Sequence, residues 1–139
     1  MSHPLSHPFS HPFSATAEKG QIKEQINDPT KFGPGMWYTI HTTALKMGED
    51  FFIDWIRLII NSIPCLKCRT HALKYIEDNS LEKYRDTYNE NGELVGMFAW
   101  TWKFHNDVNS RLKKKIYDHS EAYRMYTDES LNCSQDCGN

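Results

Sequence analysis

Two pairs of closely spaced cysteines are the residues of this 139-residue chain with the clearest capacity for chemistry: Cys65/Cys68 and Cys133/Cys137. Cys65 and Cys68 follow Pro64 at a predicted helix start. Two intervening residues place their Cα atoms within the roughly 4.4–6.8 Å that a disulfide tolerates. In an intracellular chain such close pairs indicate a redox or metal-binding group before they indicate a structural disulfide.

The surroundings of the first pair favour the thiolate form of a cysteine. A helix N-terminus carries partial positive charge and unpaired N–H groups, and Lys67 and Arg69 add cationic charge. Because the thiolate is the nucleophile in thiol–disulfide exchange, we predict that Cys65 and Cys68 form a catalytic redox pair.

Three other interpretations of the cysteines remain open. A zinc site could use both pairs, although the second pair has three intervening residues and lies in a polar segment. A thioredoxin-like motif requires a βαβ context, and the sequence shows no strand pattern. Two inert buried cysteines are the third alternative.

The remaining sequence predicts helices around this pair. A repeat of Ser-His-Pro opens the chain, and its His3, His7 and His11 are either weak metal ligands or part of a solvated arm. We expect a flexible tail over 1–30, a domain over 31–127 and a C-terminal tail over 128–139. Within the domain, glycine and proline at 33–35 predict an irregular entry, and periodicity predicts helices at 36–47, 50–62, 66–77, 93–116 and 119–126.

These elements predict an all-α fold, a four-helix bundle with a short fifth helix that Asp118 caps. The stretch over 93–116 is expected to be the longest helix. In the second helix, a face of apolar residues at three- and four-residue steps is expected to be buried: Phe51, Phe52, Trp55, Leu58, Ile59 and Ile63.

Composition excludes several classes of function. The formal net charge is -2, so no global basic field favours nucleic acid, and the basic run at 111–115 is local. No apolar stretch approaches the about 18 residues of a membrane span, and the chain start lacks the features of a signal or transit peptide. We therefore expect an intracellular, non-secreted protein without membrane or nucleic-acid partners.

Histidine, tryptophan and asparagine residues accompany the cysteines at helical spacing. Trp37 and His41 are four residues apart, and Cys68 and His71 are three apart, so each pair shares a helix face. On the predicted long helix, His105 is followed at helical steps by further candidates, which are Val108, Asn109 and Leu112.

At this point the sequence resembles the Erv/ALR family of FAD-linked sulfhydryl oxidases, and is most similar to its short viral members. Three linked motifs carry the resemblance: Gly33-Pro34-x-x-Trp37-x-x-x-His41, Pro64-Cys65-x-x-Cys68-x-x-His71, and Trp100-x4-His105-Asn106-x-Val108-Asn109-x-x-Leu112. They occur in the family's order and spacing and cover about residues 32–126.

The resemblance implies a thiol oxidase that binds FAD between helix ends. The residues it assigns to the cofactor are Gly33, Trp37, His41, Cys68, His71, Trp100, His105, Asn106, Val108, Asn109, Lys114 and Tyr123, with Tyr126 as an alternative to Tyr123. It further implies protein thiol substrates or a thioredoxin-like relay, oxygen as acceptor with hydrogen peroxide as product, and a homodimer. For a viral member, the host cytoplasm is the expected site, with the virion as a second location.

The sequence departs from the family pattern in two places. Cellular members have a structural cysteine where this chain has Trp102, so that disulfide is expected to be absent. Cys133 and Cys137 have no fixed counterpart, and are either a shuttle pair that carries electrons to Cys65 or two thiols in a dispensable tail. A different class of function, a zinc-binding or purely helical adaptor, predicts a colourless protein.

Overall fold

The computed structural model describes residues 27–128. Within that range the chain folds into five α-helices: α1 Pro29–Lys46, α2 Glu49–Asn61, α3 Leu66–Asp78, α4 Gly96–Arg111 and α5 His119–Thr127. A 3₁₀ turn over Leu81–Tyr84 lies between α3 and α4. The described residues form no β-strand, and one isolated antiparallel bridge joins Tyr88 to Leu94. The predicted all-α architecture of four helices and a short fifth is confirmed. The histidine repeat and Cys133/Cys137 lie outside the described residues.

Helix α1 starts earlier than predicted, because the segment over 33–35 is helical rather than irregular. Asp28 is the N-cap, and its carboxylate accepts hydrogen bonds from the backbone N–H of Thr30 at 2.9 Å and from its hydroxyl at 2.7 Å. Pro34 removes one backbone donor inside the helix. Packing of Phe32 and Met36 against the core stabilises the helix across that point. Helix α1 therefore begins at Pro29, just inside the segment over 1–30 for which a flexible tail was expected.

Helix α2 has the predicted bounds to within one residue, but its buried face differs from the predicted one. Four residues point into the core: Phe52, Ile53, Ile56 and Ile60. Phe51 is 54% exposed and Leu58 is 70% exposed, so both were wrongly expected to be buried. The reason is that α2 carries apolar residues on most of its circumference, so more than one stripe satisfies helical spacing.

Helix α4 is shorter than predicted, and α1 is the longest helix instead. At its N-terminal side, Val95 donates its backbone N–H to the Thr87 carbonyl at 2.8 Å, which holds the preceding residues out of the helix. Gly96 opens α4 against the 3₁₀ turn, where an added Cβ would lie 1.7 Å from the Tyr84 carbonyl oxygen. The C-terminal end is a tight turn described with the site below.

The core is built around α4, which packs against α1, α5 and the 3₁₀ turn, while α2 packs against α1 and α3. Trp100 and Phe98 are fully buried on α4. Tyr75 of α3 stacks on Phe104 of α4 with ring centroids 4.7 Å apart. Helix α4 therefore positions the side chains that face α1 on one side and α3 on the other.

Candidate functional site

A disulfide joins Cys65 and Cys68 at the first turn of α3, with their Cα atoms 5.2 Å apart. Cys65 is the N-cap, and its Sγ accepts a hydrogen bond from the backbone N–H of Cys68 at 3.2 Å. Both cysteines are half-buried against the core, whereas Leu66 between them is 67% exposed. The pair therefore has one side on the protein interior and one side accessible from solvent, as a disulfide that exchanges with another protein requires.

A histidine and an arginine link the turn after the disulfide to the end of α4. His71 lies one turn beyond Cys68, and its Nδ1 accepts a hydrogen bond from the Arg111 guanidinium. Arg111 also pairs with Asp107, with Nε 3.3 Å from a carboxylate oxygen. This contact brings a cation to the helix face that carries Cys68.

A chain of buried hydrogen bonds lies between α1 and α4. The His41 Nδ1 is 2.9 Å from the Thr101 hydroxyl, and the His41 Nε2 is 2.9 Å from the His105 Nδ1. The Thr101 hydroxyl in turn donates to the Phe98 carbonyl at 2.7 Å. His41 is 2% exposed, so its hydrogen bonds are satisfied within the protein and shielded from water.

Both histidines of this hydrogen-bonded pair are neutral near pH 7. Burial, together with the positive charge of a protonated His105, lowers the pKa of His41 to about 3. Burial, together with the nearby Lys114, lowers the pKa of His105 to about 4. The neutral His41–His105 pair, with aromatic rings around it, suits a flat, uncharged ring system as ligand.

Aromatic rings surround the histidine pair. The Trp37 ring stacks on His105 with centroids 4.0 Å apart and an interplanar angle of 5°. The Trp37 and Phe104 rings meet in a T-shaped arrangement with centroids 5.1 Å apart, and the centroid of the Tyr126 ring of α5 lies 4.6 Å from that of His41. The structure thus brings Trp37 and His41, whose four-residue spacing predicted a shared helix face, together with His105 of α4.

The end of α4 places a lysine near this cluster. Lys113 has a left-handed backbone with φ of 56°, and its N–H donates to the Ser110 carbonyl at 3.2 Å. The N–H of Lys114 donates to the Asn109 carbonyl at 2.8 Å. These two bonds define a Schellman motif, which usually has glycine at the left-handed position. The turn keeps Lys114 close enough to His105 to affect its pKa.

Three of the predicted cofactor residues make internal contacts instead of lining an opening. Trp100 is fully buried, and its indole N–H donates to the Asn79 carbonyl at 2.8 Å. Both polar atoms of the Asn106 side chain bond the backbone of Tyr117, at 2.8 and 3.0 Å. The hydroxyl of Tyr123 donates to Glu93 at 3.0 Å, so Tyr126 rather than Tyr123 is the tyrosine in contact with His41. The cofactor contacts assigned to these residues stay predictions.

The donor set fits a nucleotide-linked flat ring system. Asn109 is 5% exposed, and its amide takes part in none of the side-chain hydrogen bonds between residues 27 and 128. Because no fully buried side-chain N or O atom in that range lacks a partner, the amide keeps some accessible surface where a ligand can reach it. Gly33 has nothing within 4 Å of a Cβ position, so the backbone there is open to close approach. Trp37 offers a ring face, Val108 lies partly buried one residue before Asn109, and Lys114 offers a cation for phosphate. The residues present therefore fit FAD.

Comparison with known proteins supports this assignment. The sequence profile of the Erv1/Alr family matches residues 34–128. The chain belongs to that family. It is 36% identical over 108 residues to the FAD-linked sulfhydryl oxidase of an African swine fever virus tick isolate, covering 73% of this chain and 84% of that protein. A second such oxidase, from a warthog isolate of the same virus, is 35% identical over 107 residues, covering 72% and 83%.

Two further properties bear on the alternatives. None of the helices in the range 27–128 combines the length and the apolar character needed to cross a membrane. In the same range, no three His, Cys, Asp or Glu side chains lie where they could hold a metal ion together. The family match and the names of the viral relatives do not favour the adaptor interpretation.

Sequence reasoning missed the contacts that Thr101 and Arg111 make with the predicted site residues His41 and His71. Thr101 lies four residues before His105 on α4, so helical spacing places both on one face, but a threonine in an apolar helix gives no signal of its own. Arg111 was assigned to a local basic run, and only the packing of α3 on α4 shows its contact with His71.

Proposed function

We propose that this protein is an FAD-dependent sulfhydryl oxidase, which forms disulfides in protein dithiols and passes the electrons to oxygen, giving hydrogen peroxide. The observation that carries the proposal is the accessible Cys65–Cys68 disulfide at a helix N-terminus on the same domain as the Trp37–His105 stack. Membership of the Erv1/Alr family and the names of the viral relatives support it. We assign this activity to residues 31–127.

The cysteine chemistry takes two exchange steps. A substrate thiolate attacks the Cys65 Sγ, the bond between the two enzyme sulfurs breaks, and Cys68 leaves as a thiolate. The second substrate thiolate then attacks the substrate sulfur of this mixed disulfide, and Cys65 leaves as a thiolate. The backbone N–H of Cys68, which already donates to the Cys65 Sγ, stabilises that leaving anion. The substrate has lost two electrons, and the enzyme pair has gained them.

The cofactor, when bound, supplies a two-electron acceptor for the reduced cysteine pair and returns the electrons to oxygen. Trp37 and His105 would hold a flat ring by stacking, and the Asn109 amide would donate or accept at a heteroatom. Lys114 would pair with phosphate. His71 and Arg111 lie on the side of α3 that carries Cys68, and Arg111 would stabilise the Cys68 thiolate by its charge.

Absorption spectroscopy of the purified protein tests the activity directly. We expect visible flavin bands that bleach on addition of dithiothreitol and return as oxygen is consumed. The Cys68→Ser variant should lose oxygen consumption entirely. A colourless protein, or turnover retained in Cys68→Ser, would contradict the proposal.

A trapping experiment tests the roles of the two cysteines. In Cys68→Ser, the Cys65 thiolate should attack an oxidised substrate and remain as a stable mixed disulfide, because the resolving thiol is gone. Both variants also carry Cys133→Ser and Cys137→Ser, which removes the other thiols that can react with the substrate. The matched Cys65→Ser variant should then give no adduct of that mass. An adduct in Cys65→Ser, and none in Cys68→Ser, would reverse the assignment.

The C-terminal cysteines lie outside the described residues, and we propose that they shuttle electrons from protein substrates to Cys65. A chain truncated after Thr127 should keep its activity on dithiothreitol and lose activity on a protein dithiol. The full-length chain with Cys133→Ser and Cys137→Ser is the matched control and should behave the same way. Unchanged activity on the protein substrate would assign Cys133 and Cys137 to a dispensable tail.

We further propose a homodimer, with a thioredoxin-like relay or a protein dithiol as reductant and the host cytoplasm as the working compartment. The exposed apolar residues of α2, Phe51 and Leu58, support a dimer face. A cleft of about 450 Å³ between α1 and α2 is lined largely by apolar side chains, including Met36, Trp55 and Ile59. Sedimentation equilibrium should give twice the chain mass, and Leu58→Glu should shift the protein to the monomer.

A further inference from the structure

The hydrogen bonds around His41 determine which ring nitrogen carries the proton. The hydroxyl hydrogen of Thr101 is donated to the Phe98 carbonyl, which only accepts. The Thr101 oxygen therefore faces the His41 Nδ1 as an acceptor, 2.9 Å away, so Nδ1 bears the hydrogen. A neutral imidazole has one N–H, and the His41 Nε2 is therefore left as an acceptor.

The same reasoning extends to the second histidine. The His41 Nε2 lies 2.9 Å from the His105 Nδ1, and because the first is an acceptor the second must be the donor. A neutral His105 then has a bare Nε2. Among the hydrogen bonds of residues 27–128, none engages this nitrogen, and the His105 ring lies against Trp37 at the partly accessible side of the cluster.

We propose that Thr101 is a positioning residue that sets the tautomers of both histidines, so that the His105 Nε2 is held as a hydrogen-bond acceptor for a donor group of the bound cofactor. Thr101 is itself fully buried, and hydrogen bonds through His41 link its hydroxyl to the His105 ring. The ligand group it selects is an N–H or O–H donor, such as an amino or hydroxyl group of the nucleotide part. The cofactor half of this inference rests on the proposed function, whereas the tautomer half does not.

Thr101→Val is the variant that separates this role from packing. It nearly keeps the side-chain shape but removes the oxygen that accepts from the His41 Nδ1. His41 then satisfies its hydrogen bonds best as the Nε2–H tautomer, which donates to the His105 Nδ1. That change moves the His105 hydrogen to Nε2, so the ring nitrogen that faces the ligand changes from an acceptor to a donor. Thr101→Ser keeps the hydroxyl and is the matched control.

The experiment is ¹H–¹⁵N correlation spectroscopy of the histidine side chains in the holoprotein, combined with measurement of the FAD dissociation constant. We expect the Nδ1–H form for both histidines in the natural sequence and in Thr101→Ser. In Thr101→Val, His105 should switch to Nε2–H, although the hydrogen bond that is lost joins Thr101 to His41. The dissociation constant for FAD should rise about tenfold in Thr101→Val and less than about twofold in Thr101→Ser.

The outcomes decide the two halves separately. If His41 in the natural sequence carries its hydrogen on Nε2, the proposal is overturned without any variant. This measurement therefore remains decisive even if Thr101→Val does not fold. An unchanged His105 tautomer in folded Thr101→Val would also overturn it. A tautomer switch without any change in FAD affinity would overturn the ligand half. Correct tautomers in a protein that takes up no FAD would refute the proposed function and leave the role of Thr101 in place.

Discussion

The buried histidine pair predicts a loss of folding stability as the pH falls from 7 to 5. In the unfolded chain a histidine titrates near its ordinary pKa of 6.5, whereas burial lowers the folded pKa to about 3 for His41 and about 4 for His105. A lowered folded pKa means that the unfolded chain binds more protons below pH 6.5. The stability contributed by the neutral pair is therefore complete above pH 6.5 and is lost as the pH falls toward the folded pKa values.

The magnitude follows from the width of that pH window. From pH 6.5 to pH 5, a fully buried histidine loses about 2 kcal/mol, at 1.36 kcal/mol for each pH unit. His41 should show this full loss, and His105, which is partly accessible, should lose about half as much. We expect the free energy of unfolding to fall by about 3 kcal/mol in total.

Urea unfolding followed by circular dichroism, with FAD at a fixed concentration, measures this loss at several pH values. His105→Asn keeps a donor for the His41 Nε2 and removes one titrating group, so its loss should shrink to about 2 kcal/mol. A decrease of less than about 1 kcal/mol in the natural sequence would refute the reasoning. So would an equal decrease in both proteins, because it would assign the pH dependence to other groups.

Three further substitutions test the backbone features of the fold. Gly96→Ala should destabilise the protein by on the order of 3 kcal/mol, because its Cβ would meet the Tyr84 carbonyl oxygen at 1.7 Å, and a soluble variant with an unchanged urea midpoint would contradict this. Lys113→Gly should raise the free energy of unfolding by about 1 kcal/mol, since glycine adopts the left-handed backbone freely. A lowered urea midpoint would show that the lysine side chain stabilises the fold by more than its backbone strain destabilises it. Gly33→Ala should stabilise α1 in the flavin-free protein by about 0.5–1 kcal/mol but lower the affinity for FAD, whereas Gly35→Ala should stabilise α1 without lowering that affinity. Equal FAD retention in the two variants would exclude a cofactor contact at residue 33.

Local spacing predicted the parts of the site that lie within one turn of a helix. The disulfide follows from two intervening residues at a helix start, and the contact between Trp37 and His41 follows from their four-residue spacing on one helix. These signals depend on one or two elements, so a single sequence contains them. The resemblance to a family then indicated which elements face each other.

Helix ends and buried faces were predicted less well, because tertiary contacts decide them. Lysine is a good helix former, so nothing at Lys113 indicated that α4 ends there in a left-handed residue. Pro34 indicated a helix boundary, yet the Asp28 cap and core packing carry α1 through it. In α2, Phe51 and Leu58 satisfied the period of a buried face, but the neighbouring helices cover the adjacent stripe instead.

The sulfur that caps α3 has a practical consequence for mutagenesis. The Cys65 Sγ is both the atom that a substrate thiolate attacks and the acceptor for a helix N–H. An alanine at this position therefore removes the reactive sulfur and the helix cap together. Serine retains the acceptor, and it is among the residues that helix starts prefer. Activity lost on replacement by alanine would mix two causes, whereas loss on replacement by serine measures the chemistry of the sulfur alone.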